Sequence, residues 1–282
     1  MVGEFGDNAN ALAVQPDGKI VVAGSCDDIG YEFCLARYSA NGVLDATFGI
    51  DGKVITAATI LEDSANALTI QPDGKLVVAG HCYHGGIGTD FCLARYSANG
   101  ELDATFGSAG LVFTDLSTFD DKARALVVQS DGKILVAGSC SDTFCVARYD
   151  ANGVLDATFG SGGTVIAFSG TNIGRAVALQ HDGRIVVAGE CYYAPGWDFC
   201  LARFSADGAL DPSFGSGGKV VTPMGNNDDY IRALALQPDG KIVVAGYCWN
   251  GTKNDVCLAR YLASGALDTS FNSTGKLISP IG

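Results

Sequence analysis

No run of about 18 or more apolar residues occurs in the chain, so no segment reads as a membrane-crossing helix. Met1 to Asn10 holds neither a basic n-region nor an apolar h-region, so no membrane anchor is read there. Basic residues are scarce: 18 Lys and Arg stand against 31 Asp and Glu, a formal charge of −13. The isoelectric point is near 4.4. Binding to a phosphate backbone needs a basic face, which excludes nucleic acid as a partner. Histidine is confined to His81, His84 and His181. The patterns G-x-S-x-G and H-E-x-x-H are missing, as is a phosphate-cradling glycine loop with Lys-Ser/Thr. A nucleophile, base and orienter must be placed once and together, so the chain reads as a non-enzyme. Paired carboxylates for glycoside hydrolysis are available in so acidic a chain, and nothing singles two of them out. The many glycines are read as turn residues rather than as a cofactor cradle.

What is present is repetition. Gln15, Gln71, Gln129, Gln180 and Gln237 open the turns QPDGK, QPDGK, QSDGK, QHDGR and QPDGK. Each turn lies between two apolar runs, as in Ala11-Leu-Ala-Val14 before and Lys19-Ile-Val-Val-Ala-Gly24 after. Pro at the second position and Asp-Gly at the centre suit a tight reversal. A third run follows a variable loop: FCLARY at Phe33, FCLARY at Phe91, FCVARY at Phe144, FCLARF at Phe199 and VCLARY at Val256. A second loop of the form SANGVLDATFGIDG leads to a fourth run such as Lys53-Val-Ile-Thr56 or Lys219-Val-Val-Thr222. Four short strands per unit, Gly-rich turns and no helical period describe a propeller blade.

The expected fold is therefore all-β: a five-bladed β-propeller of roughly 56-residue, four-stranded repeats. They form a single domain over 1–282, with repeats near 9–58, 65–116, 123–168, 174–223 and 231–280. The chain ends on a fourth-type strand, Lys276 to Ser279, and begins just before a first-type strand. Pairing of that last strand with the N-terminal blade is expected to close the ring without an open edge.

These residues resemble the delta-60 repeat family, whose units carry ALQPDGKIVVAG, then F-x-LARY-x-x-G, then LD-x-x-FG. The resemblance covers essentially the whole chain. It implies a bacterial, secreted or cell-surface, multi-repeat protein, and it brings no catalytic residues to transfer. The cysteine pair in every unit departs from the family pattern.

Two polar positions recur with the repeat: Arg37, Arg95, Arg148, Arg203 and Arg260 in the third strand, and Asp45, Asp103, Asp156, Asp211 and Asp268 in the LD motif. A feature present in every blade is read as framework, the Arg fork pairing the Asp or loop carbonyls. With the turn aspartates and turn cations added, the framework is neutral. All of the net charge then lies in the variable segments.

The ten cysteines fall as Cys26/Cys34, Cys82/Cys92, Cys140/Cys145, Cys191/Cys200 and Cys248/Cys257, each pair bracketing the loop between strands two and three. This placement sets two sulfurs opposite one another at a hairpin end, within bridging reach. The competing readings are a thiolate metal site and free buried thiols. Zinc needs four converging ligands where each unit offers two sulfurs, so intrablade disulfides and no metal are expected, in an oxidising, extracellular or cell-surface setting.

Both tryptophans, Trp197 and Trp249, lie in the cysteine-bracketed loops with Tyr31, Tyr83, Tyr192 and Tyr193. Rigid rings in pinned polar loops suit recognition; packing between blades is the other reading, and both stay open. Asp120, Asp121, Asp228 and Asp229, in the segments between strands four and one, offer oxygen ligands to calcium. No segment matches a calcium-loop pattern, so a solvated acidic face is favoured and no cofactor is expected. The functional expectation is a non-catalytic extracellular module binding a glycan or protein partner at this loop rim. The alternative is a structural subunit of an extracellular fibre or surface repeat array that self-associates.

Overall fold

The structure is a computed structural model that describes residues 6–27, 31–59, 61–83, 85, 87–225 and 227–280. The first repeat forms β1 (Asn8–Val14), β2 (Ile20–Asp27), β3 (Tyr31–Tyr38) and β4 (Lys53–Thr56). The second forms β5 (Asp63–Ile70), β6 (Leu76–Cys82), β7 (Asp90–Tyr96) and β8 (Leu111–Thr114). The third forms β9 (Asp121–Val128), β10 (Ile134–Cys140), β11 (Thr143–Tyr149) and β12 (Thr164–Phe168). The fourth forms β13 (Asn172–Leu179), β14 (Ile185–Tyr193), β15 (Gly196–Phe204) and β16 (Lys219–Thr222). The fifth forms β17 (Asp229–Leu236), β18 (Ile242–Trp249), β19 (Asn254–Tyr261) and β20 (Lys276–Ser279). The result is five four-stranded antiparallel sheets, each in chain order, matching five propeller blades. There is no helix among the described residues.

Two compact units make up the chain, one of residues 1–136 and 148–155, the other of 137–147 and 156–282. All contacts between repeats given below lie inside one unit or the other.

Local chemistry sets each hairpin. In the first turn Gln15 N donates to the Lys19 carbonyl at 2.8 Å and Gly18 N to the Gln15 carbonyl at 2.9 Å. Gly18 takes φ +84°, and the Asp17 carboxylate accepts from Lys19 N at 3.2 Å. The first strand of a repeat then carries a bulge against the second, at Asn10, Asn66, Arg175 and Arg232. At that bulge the first strand crowds the glycine of the AG-x-C motif. A Cβ on Gly24, Gly80, Gly189 or Gly246 would meet a backbone oxygen at 1.7, 1.8, 1.9 and 1.8 Å. These four glycines sit inside strands, not in turns, which corrects the reading of glycine as turn chemistry alone.

The expected strand exchange at the chain ends does not occur. β20 pairs with β19 of its own repeat, Val256 opposite Ser279 and Ala259 opposite Lys276, and β1–β4 form a complete sheet without it. The cause is the LD-x-x-FG loop, which folds back on the strand it has just left. Asp268 N donates to the Arg260 carbonyl at 2.8 Å, and Arg260 N to the Gly275 carbonyl at 2.9 Å. That loop delivers each fourth strand to the third strand of the same repeat.

Apolar faces of neighbouring sheets make the cores. In the first unit Val21, Ala23, Phe33, Leu35 and Phe48 pack with Leu76, Val78, Ala94 and Tyr96. In the second, Val186, Ala188, Phe199, Leu201 and Phe214 pack with Ile231, Ile242, Val244 and Tyr261. A polar strut runs beside each core. Arg37 Nε meets Asp45 at 2.9 Å, Lys19 Nζ meets the same carboxylate at 3.1 Å, and the guanidinium lies 4.8 Å over Phe48. Arg37 Nη1 then donates across to the Ala98 carbonyl of the next repeat at 2.6 Å. Arg95, Arg203 and Arg260 pair with Asp103, Asp211 and Asp268 at 2.8 Å, and Arg148 and Asp156 occupy the same positions in the third repeat. Arg95 and Arg203 reach the Ala151 and Ala263 carbonyls. A second strut joins the tyrosine of LARY to the preceding fourth strand: Tyr96 to Thr56 at 2.8 Å, Tyr149 to Thr114 and Tyr261 to Thr222 at 2.9 Å.

Candidate ligand-binding site

All five expected pairs are disulfides: Cys26–Cys34, Cys82–Cys92, Cys140–Cys145, Cys191–Cys200 and Cys248–Cys257, with Cα–Cα separations of 5.6–5.9 Å. Their placement corrects the expectation in one respect. The two cysteines of a bridge do not face one another at the hairpin end, and the second of each pair lies inside the third strand. Cys257, in β19, stands opposite Gly246, while Cys248 stands opposite Asp255. Cys200 stands opposite Gly189 and Cys191 opposite Asp198. In the first two repeats Cys34 and Cys92 likewise face Gly24 and Gly80. Cys145, five residues after Cys140, lies in β11 with Ile166 of β12 as its partner on the other side, and it is fully buried, as Cys257 is. The cause is the crowded glycine: it offers no side chain to the cysteine facing it, so that sulfur reaches two residues on, to the next residue of the same sheet face. In the first, second, fourth and fifth repeats the bridge therefore runs diagonally beneath the loop that carries the aromatic residues and pins it from the sheet side.

The fourth and fifth repeats gather rings into a chain. Tyr192 and Trp197 are cross-strand partners at 5.6 Å, edge to face, in a hairpin whose turn contains a cis Ala194–Pro195 bond. Trp197 lies 6.3 Å from Tyr230, and Tyr230 lies 5.0 Å from its cross-strand partner Tyr247. Arg232, at the bulge of β17, closes the chain with its guanidinium 4.8 Å over Tyr247 and 5.9 Å from Tyr230. Its Nη2 donates to the Tyr247 hydroxyl at 2.7 Å. Asp228 ties the two hairpins together: Oδ1 accepts from Trp197 N at 3.1 Å and its carbonyl from Trp249 N at 2.8 Å. Burial, with the nearby Asp228 and Glu190 carboxylates, pushes the Tyr230 phenol up, so it stays a hydrogen-bond donor at neutral pH.

Of the six aromatic residues expected at the rim, Tyr192 and Trp197 enter this chain. Tyr31, Tyr193 and Trp249 stand exposed, and Tyr83 is half-buried in the second repeat. Tyr230, Tyr247 and Arg232 were missed because they lie on strands outside the cysteine brackets. A signal was there: Tyr247 directly precedes Cys248, where the other repeats have Ser25, His81, Ser139 and Glu190.

The four candidate calcium oxygens divide between two places. Asp120 accepts from Thr89 N at 3.0 Å and from Lys122 at 2.7 Å, and the Lys122 hydrogen bond chiefly holds its carboxyl down. Asp121 is buried, accepts from Leu116 N at 2.7 Å and from Ser117, and shares a 4.8 Å neighbourhood of carboxylate oxygens with Asp90 and Asp115. Asp228 is engaged as above. Asp229 is buried and accepts from Met224 N at 2.7 Å and Gly225 N at 3.2 Å.

Repeated four-stranded sheets with disulfide-pinned loops define a β-propeller repeat protein. A family model, a domain of unknown function (DUF5122) β-propeller, matches residues 15–48, 71–106, 129–159, 180–214 and 237–271, and the chain belongs to that family. A WD-domain G-beta repeat model also matches residues 217–252. No curated protein matches the sequence. Among solved structures, a protein of unknown function from Bacteroides caccae aligns over 98% of this chain and 86% of that one at 15% identity, TM-score 0.56. One of unknown function from Dyadobacter fermentans aligns over 99% and 85% at 11% identity, TM-score 0.58. At these identities the likeness is one of fold. A gluconolactonase from Xanthomonas campestris aligns more loosely, over 84% and 68% at 13% identity, TM-score 0.48.

Proposed function

We propose that this chain is a non-catalytic, extracellular or cell-surface module that binds a glycan on the ring chain of its fourth and fifth repeats. The observation that carries the reading is the run Tyr192–Trp197–Tyr230–Tyr247, at 5.0–6.3 Å between successive centroids, with Asp228 beside it. Flat apolar faces stack on the C–H side of a sugar ring, while phenols and carboxylates take its hydroxyls. The rings are held before any ligand arrives, so little side-chain entropy is lost on binding. Five disulfides support an oxidising compartment. The test is a glycan array followed by calorimetry with Trp197→Ala and Tyr247→Ala. Loss of about tenfold or more in affinity, with the melting transition retained, supports the reading. Unchanged binding by both folded variants removes this surface.

A second reading, self-association as part of a surface array, has one observation in its favour. Leu12 and Val14 of β1 are 66% and 59% exposed, whereas Leu68 and Ile70, at the same places in β5, pack on the core. Light scattering over a concentration series separates the two readings. A mass that stays at one chain counts against association, and a mass that rises and is returned to one chain by Leu12→Asp supports it.

A further inference from the structure

The first strand of the fourth repeat carries Arg175 at its bulge, and the same place in the fifth repeat holds Arg232. Their neighbours on the second strand differ. Arg175 is neutralised by buried Glu190, with Nε at 2.7 Å and Nη2 at 2.5 Å from Oε1. In the fifth repeat the residue at the Glu190 position is Tyr247, which gives Arg232 a ring and a hydroxyl but no charge. The other hydrogen bond of Arg232 goes to its neighbour's carbonyl, Ile231 O, at 3.3 Å. Among the described residues no carboxylate is paired with Arg232, although acids outnumber bases by 31 to 18 in the chain. Of the acids nearest the rings, Glu190 pairs with Arg175, and Asp228 accepts from the Trp197 amide and lies against the Tyr230 phenol; neither pairs with Arg232.

An exposed guanidinium held beside two tyrosines, 4.8 and 5.9 Å from their ring centroids, keeps N–H groups for a planar anion. The spacing suits a ligand whose ring stacks on Tyr230 and Tyr247 and whose carboxylate lies against the arginine. We propose that this site selects an acidic sugar, a uronic acid or another carboxylated pyranose. This rests on the glycan reading above and narrows it to one chemical class.

The test titrates the whole chain with trigalacturonate and galactotriose, beside an array of acidic and neutral oligosaccharides, at low and high salt. The expected result is about tenfold or greater preference for the acidic member of each pair, falling as salt rises. Arg232→Gln is expected to bring the acidic-to-neutral ratio to about one. Tyr247→Glu, which imports the arrangement of the fourth repeat, neutralises the arginine in place and also removes a stacking ring, so it is expected to weaken both ligands while bringing their ratio to about one. Should Arg232→Gln fail to fold, Arg232→Met, read by the same ratio, decides the matter. Equal binding of acidic and neutral sugars by the wild type overturns the acidic-sugar assignment and leaves the glycan reading standing. Binding to no glycan on the array overturns both.

Discussion

Gly80 shows how much a single missing side chain does in this fold. Its strand-one neighbour Ser64 sets a carbonyl where a Cβ would be, 1.8 Å away, and no rotamer change relieves a collision with backbone. Gly80→Ala is expected to cost about 3 kcal/mol or more, seen as a large fall in Tm or loss of soluble protein. Ala at Gly225, where nothing lies within 4 Å and the backbone is not left-handed, serves as the control. The sequence shows the glycine in every AG-x-C but not its reason, because the bulge that demands it comes from another strand. Asp229 makes a second case. Burial raises its carboxyl above the ordinary 3.8 despite the Met224 and Gly225 amides. Below the unfolded value the group is neutral in both states and costs nothing. As pH rises past it, the folded state is held back from ionising and loses stability relative to the unfolded chain. The fourth repeat already carries Asn172 at this place. Asp229→Asn should therefore match wild type near pH 3 and gain on it toward pH 7, measured by urea unfolding at each pH.

At the scale of the strand, the tyrosine–threonine strut and its exception carry the same lesson. Phe204 stands where the other later repeats have Tyr96, Tyr149 and Tyr261, and in the preceding fourth strand Ala167 stands at the sequence place of Thr56, Thr114 and Thr222, a bulge bringing Phe168 opposite Phe144. Donor and acceptor disappear together, so no hydroxyl is left buried without a partner. Tyr96→Phe alone leaves Thr56 behind and should cost about 1 kcal/mol in urea unfolding. The same change at Phe204 is already made by the chain itself. Four strands per repeat were legible from the alternation around QPDGK and LARY, since that signal is local. The cysteine partners were legible too, from Cys140–Cys145 with the shortest loop to Cys248–Cys257, but the diagonal run beneath the aromatic loops was not, because it depends on strand register. The partner of β20 was not legible either, because nothing in Lys276 to Ser279 says which third strand it joins; the return of the LD-x-x-FG loop decides that. The aromatic loops were legible as a surface, yet half of the ring chain was not. Tyr230 and Tyr247 become neighbours of Trp197 only once β17 stands beside the β14–β15 hairpin.

For the molecule as a whole, the disulfides give the most direct measurement. Intact mass after alkylation, with and without reduction, should show ten protected cysteines in the oxidised protein. Changing Cys82 and Cys92 together to Ser opens one short loop and should cost about 2 to 3 kcal/mol by chain entropy. The fold should survive, because the strand pairing of β6 with β7 does not depend on the bridge. A different consequence follows from the way each sheet takes all four strands from one uninterrupted stretch of sequence. A gene for such a chain can gain or lose one unit at the joints between the fourth strand of one repeat and the first strand of the next without cutting a sheet in two. The inserted piece arrives with its own bridge, its own arginine strut and its own loop. Blade number and loop content are thus separable heritable characters, and a single duplicated unit gives selection a fresh loop to act on while the others go on working.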